Sequence, residues 1–195
     1  RWMASNSVQS EVWSLPPQEG IKAWWKFDES SGTVAVDSIS GYSGTLVGID
    51  NASRVFGEIG KALSFDGSGS HVVTKSFKGI LGDKSRTLSL WMKSSNPNGT
   101  LIDWGESADF SNWSVSLKNG KAHLDIGGSR LVGSTALNNN AWRHLAVVLP
   151  NGSNGAADAF IYIDGNRENV TFEHDHNFPG TISGVSLWLD ASQLS

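Results

Sequence analysis

The sequence predicts an all-β fold, an antiparallel two-sheet sandwich, and three observations predict it. Short runs alternate apolar and polar residues, turn residues separate them at intervals of about ten positions, and the composition disfavours helices. The chain of 195 residues holds 22 glycines, nine tryptophans and only two methionines, with 17% charged residues. That mixture suits many tight turns between short, half-buried strands. The length suffices for one domain with a substantial core.

Residues 1–20 end in Leu15-Pro16-Pro17-Gln18-Glu19-Gly20. Proline there blocks both helix and ladder, so this stretch reads as a linker or tether, and residues 21–195 read as the domain. Strands are expected over 21–27, 45–49, 61–65, 70–74, 87–93, 100–104, 112–117, 121–126, 142–149, 159–164, 168–172 and 181–189, the last being final or penultimate. Asn119-Gly120 is the clearest two-residue hairpin turn, because both positions tolerate positive φ. Alternation puts Trp113, Val115 and Leu117 on one core face, and Trp25 on one side with Ala23 and Phe27. Trp142 opens a strongly apolar run and is expected in the core. Trp24, Trp91, Trp104 and Trp188 fall opposite such faces or at strand ends.

The order of five segments carries a resemblance over residues 20–190. These are Ala23-Trp24-Trp25-Lys26-Phe27-Asp28-Glu29, Gly60-Lys61-Ala62-Leu63-Ser64-Phe65-Asp66-Gly67, the Leu88-Ser89-Leu90-Trp91-Met92 run, Trp142-Arg143-His144-Leu145-Ala146, and Tyr162-Ile163-Asp164-Gly165. Together they resemble the bacterial laminin-G-like domains, which are concanavalin A-like jelly rolls related to the pentraxins. The resemblance implies a jelly-roll sandwich acting outside the cell or at its surface in binding or adhesion, with a glycan or a surface protein as partner. It also implies a structural calcium ion, for which Asp37, in Asp37-Ser38-Ile39-Ser40-Gly41, matches the loop position. A plain turn role for Asp37 is the alternative. Ser183 and Gly184 stand where relatives carry acids, which weakens the implied calcium site.

The formal charge of −4 and the scattered lysines and arginines argue against a nucleic-acid partner. No segment has the roughly 18 consecutive apolar residues a membrane-spanning helix needs. Without cysteine there are no disulfides and no thiolate metal sites. Glycoside hydrolysis needs two carboxyls roughly 5 to 9.5 Å apart, and no strand carries alternating acids suited to it. The pairs Asp28/Glu29, Asp103/Glu106 and Glu173/Asp175 read as loop or edge residues, so the chain is expected not to be an enzyme. His174 and His176 offer too few ligands for zinc. A saccharide is held by an aromatic plate ringed by polar groups. The expected plate is Trp104, with Asp103, Glu106, Asn112 and His123 around it, against the alternative that Trp104 packs over a sheet edge. The alternative function is that of a structural subunit or spacer in a surface assembly or filament.

Overall fold

The computed structural model describes residues 20–80, 82–105, 112–153, 155–174 and 186–187. Its strands, in chain order, are β1 (Val34–Ala35), β2 (Gly44–Val47), β3 (Arg54–Phe56), β4 (Lys61–Leu63), β5 (His71–Val73), β6 (Arg86–Lys93), β7 (Gly99–Trp104) and β8 (Trp113–Lys118). They continue with β9 (Lys121–Ile126), β10 (Ser129–Gly133), β11 (Trp142–Leu149), β12 (Phe160–Ile163), β13 (Asn166–Arg167), β14 (Val170–His174) and β15 (Ser186–Leu187). Among the described residues the helical element is a single 3-10 turn, Ala156–Asp158.

Four sheets result, ordered β1-β2-β5-β15, β14-β10-β9-β8-β7, β13-β12-β11-β6 and β3-β4. Every pairing is antiparallel. Residues two apart on each strand point the same way, and the inward set of all four sheets merges into one core. Leu46 and Val72 come from the first sheet, Trp113, Val115 and Leu124 from the second, Leu145, Val147 and Ile161 from the third, and Leu63 from the hairpin. Burying each such aliphatic side chain stabilises the fold by about 1.5 to 3 kcal/mol. This is the antiparallel sandwich of the jelly-roll class.

The turns follow the residues. Asn119 and Gly120 both have positive φ, 52° and 76°, between Lys118 and Lys121, which pair directly. Such a turn matches the twist of the strands it joins.

Local pattern misled in several places, and the short strands β1 and β3 were not expected. The strand expected over 21–27 is reduced to one bridge, Trp25 to Asp37, and Phe27 with a φ of 61° leaves the extended conformation at its end. Strand β10 went unexpected, since Ser129 and Arg130 make it short and polar. Trp142 is only half-buried, and it pairs with Lys93. On β11 the core positions are Leu145, Val147 and Leu149, so alternation sends Trp142 to the opposite face.

Candidate functional site

Two of the expected site residues share a face, on the five-stranded sheet. Asp103 pairs with Ser114, Ser114 with Asp125, Asp125 with Arg130, and Arg130 with Glu173, so one row crosses five strands. In the next row along the same face, His123 pairs with Ser116. Asp125 holds two cations, the Arg130 Nε at 2.6 Å and the Lys118 Nζ at 3.7 Å. Asp103 has neither.

Burial is therefore uncompensated at Asp103, which is 7% exposed. Desolvation pushes its carboxyl up to about 6; the Trp104 backbone N–H opposes this and nearby Asp125 adds to it. His123 is pushed down, first by burial and then by Lys118 and Arg130, against the pull of Asp125 and Glu173. Its Nδ1 and the Ser116 hydroxyl are buried without a hydrogen-bond partner.

A prediction follows for Asp103→Asn. The folded pKa of Asp103 lies above its ordinary 3.8, so the folded state favours the proton. The stability this gives is fully present below about pH 3.8 and is lost as pH rises through 6. The variant should thus be more stable than the native chain at pH 7.5, by on the order of 1 to 2 kcal/mol after solvent screening, and this advantage should vanish near pH 4. His123 titrates with the opposite sign in both proteins, so the difference between their denaturation curves isolates Asp103. An advantage that does not change with pH would contradict the assignment.

The expected plate is closed. Trp104 is 7% exposed and pairs with Trp113 on the core face, opposite Asp103, with the two indoles stacked at 4.1 Å and 18°. A distant loop seals it: a Cβ on Gly79 would lie 2.4 Å from the Trp104 Nε1, so only glycine lets the backbone lie flat against the ring. Trp104 is thus a core residue under a loop rather than a surface plate. Asn112 is buried and accepts the Gly127 N–H at 3.2 Å, bracing the turn into β10. Glu106, Asp175, His176 and Trp188 lie outside the described residues.

Asp37 is a loop organiser. Its Oδ1 accepts the N–H groups of Trp24 at 2.7 Å and Ile39 at 3.1 Å, and its Oδ2 those of Ser40 at 3.0 Å and Tyr42 at 2.9 Å. Burial pushes this carboxyl up, but the four backbone bonds outweigh it and hold the group below the usual range. Four N–H protons aimed at both oxygens fit a turn. They leave the carboxylate poorly suited to calcium, which needs those same lone pairs. Among the described residues, no group of three or more His, Asp or Glu is placed to hold a metal ion.

An open aromatic surface lies on the other side of the sandwich. On β6, Leu88, Leu90 and Met92 turn toward the core, so Ser89, Trp91 and Lys93 turn out. Trp91 is 42% exposed. Register sets His144 opposite Trp91 and Trp142 opposite Lys93, so all four share this face. The His144 ring meets the indole of Trp91 edge-on at 5.2 Å, and its Nε2 lies 2.8 Å from the Ser89 hydroxyl, which fixes the plate's orientation. Tyr162 sits beyond, opposite Ala146.

At the β6 edge this face runs into a groove of about 330 Å³, roofed by the β3–β4 hairpin. Phe27, Leu90, Met92 and Trp142 line it, with Lys93 and Asn140 as polar groups. The hairpin is held in place by Asp28, which accepts the Lys61 N–H at 2.9 Å. Arg54 adds bonds to the carbonyls of Glu29 at 3.0 Å and Gly32 at 2.8 Å. Sequence reasoning placed Trp91 among the outward tryptophans by alternation. The groove had no such signal, since its walls come from segments far apart in the chain.

Fold and surface define a jelly-roll sandwich with one open aromatic face. Among solved structures, the chain is similar to domains LG4-5 of the mouse laminin alpha1 chain, at 16% identity and a TM-score of 0.46, covering 62% of this chain and 32% of that one. It is also similar to the binding domain of Paraclostridial Mosquitocidal Protein 1, at 15% identity and a TM-score of 0.49, covering 85% of this chain and 40% of that one. The chain therefore spans well under half of each of those structures. No protein-family model and no curated protein matches the sequence.

Proposed function

We propose that this chain is a non-catalytic binding or adhesion module, working outside the cell or at its surface, that takes a glycan against Trp91. The observation that carries the reading is the half-open Trp91 plate, held by His144 and flanked by Ser89, Lys93 and Trp142. A pyranose offers an apolar C–H face to an indole, while its hydroxyls need donors and acceptors at the rim. Lys93 supplies a donor, and Ser89 and His144 supply groups of either kind. The carboxylates of the opposite sheet suit no catalytic role: Asp103 and Asp125 are 7% and 5% exposed, and Asp125 is held by two cations. No helix among the described residues is long and apolar enough to cross a membrane. The extracellular setting and the glycan class rest on the family resemblance.

The test is a glycan array probed with the native chain and with Trp91→Ala. The native chain should bind a restricted set of saccharides, and the variant should lose about tenfold or more of that affinity. Its melting temperature should stay close to native, because the indole lies on an outer face. Equal binding by both proteins, or no saccharide bound by either, would refute the reading. So would release of reducing ends from a bound glycan.

A further inference from the structure

We infer that the β3–β4 hairpin and the groove beneath it form a self-complementary surface on which two copies of this chain pair about a twofold axis. The inference goes beyond the glycan reading: the surface borders the same face and shares Trp91, Lys93 and Trp142 with it, but its knob, Phe56 and Ile59, has no part in that reading.

The β3–β4 hairpin lifts two large apolar side chains into water, Phe56 at the end of β3 and Ile59 in the turn. Phe56 is 89% exposed and Ile59 74%. Phe56 stands with Val55 on the rim of the groove, whose walls are mostly aromatic and aliphatic, and Ile59 projects from the adjoining turn. A twofold pair uses the same patch on both subunits, so it needs a projection and a recess side by side on one face. This surface has both.

Charge selects the same occupant. Lys93 is the one charged side chain lining the groove, and Glu58 is the one acid in the turn that carries the knob. Both are exposed, and neither is ion-paired among the described residues. In a twofold pair, Glu58 of each copy meets Lys93 of the other, so both ion pairs form at once. The knob is also pre-organised, because the bonds from Asp28 and Arg54 hold the hairpin rigid before association.

Area sets the strength. The exposed parts of Val55, Phe56, Ile59 and Trp91 amount to roughly 500 Å² per copy, or about 1,000 Å² in all, below the range of stable complexes. The pair should therefore be weak and depend on concentration.

Sedimentation velocity on the full chain, over a series of concentrations up to about millimolar, tests this. The native chain should shift from monomer toward dimer across the series. Phe56→Ser should remain monomeric throughout. Glu58→Lys and Lys93→Glu should each weaken association about tenfold, and the chain carrying both should recover most of it, because the swapped charges again face each other. Far-ultraviolet dichroism confirms that each variant is folded, which is expected because these side chains are exposed. A native chain that stays monomeric at every concentration would overturn the inference. So would a dimer indifferent to Glu58→Lys, or a double variant as weak as the single ones. Glycan binding by a strictly monomeric chain would sink this inference and leave the glycan reading standing.

Discussion

Trp113→Ala should cost the domain about 3 to 5 kcal/mol, the largest single loss expected among the described tryptophans. Trp113 is 1% exposed and stacks on Trp104, so its removal opens a cavity and also strips the support from a second indole. Val115 and Leu117, on the same face of β8, are equally buried, and the wall around them has little freedom to collapse. Trp113→Phe should cost much less than alanine, because it keeps most of the ring and removes an indole N–H that is buried without a partner. Chemical denaturation of the three proteins reads both values. A loss below about 1 kcal/mol for alanine would mean that Trp113 does not lie at the centre of the core.

Asp37→Ala should be the next most damaging change, at about 2 to 4 kcal/mol, since a charged acceptor serving four backbone donors disappears at once. Water can reach some of the freed N–H groups, which keeps the loss below the sum of four separate bonds. The sign with pH is fixed by the lowered pKa. Asp37 contributes stability above its ordinary 3.8, and that contribution is lost as pH falls through the lower, folded value. The gap between native and variant melting curves should accordingly close in strong acid. Calcium and chelator should leave the native curve where it is. A rise on adding calcium that Asp37→Ala abolishes would show that the ion displaces the N–H donors after all.

How far the sequence led depended on whether the deciding contact was local. Alternation within one strand correctly buried Trp113, Val115 and Leu117, and it turned Trp91 outward opposite Leu90 and Met92. The Asn119-Gly120 turn was legible because positive φ is written into those two residues. Asp37 was legible as a turn former for the same reason, its bonds to Ile39, Ser40 and Tyr42 spanning only a few residues. Trp104 was misread because the loop that closes it arrives from Gly79, which no window around residue 104 contains. Trp142 was misread because the apolar run it opens suggested burial, while its own parity, opposite to that of Leu145, already pointed out. Asp103 and His123 were expected around Trp104, but they share the face opposite its ring, in neighbouring rows set by separate hairpin registers. The groove was invisible because it exists only where the β3–β4 hairpin, Phe27 and the β6 edge converge.

In the proposed function a glycan sits on the Trp91 face and nowhere near Trp104. Indole N–H resonances in a two-dimensional ¹H–¹⁵N spectrum test it most directly, since Trp24, Trp25, Trp91, Trp104, Trp113 and Trp142 report from known places in the fold. During titration with a saccharide selected on the array, the Trp91 and Trp142 indole signals should shift together and saturate, while those of Trp104 and Trp113 stay fixed in the core. Shifts confined to Trp104 and Trp113, with Trp91 unmoved, would show that the glycan does not sit on the Trp91 face.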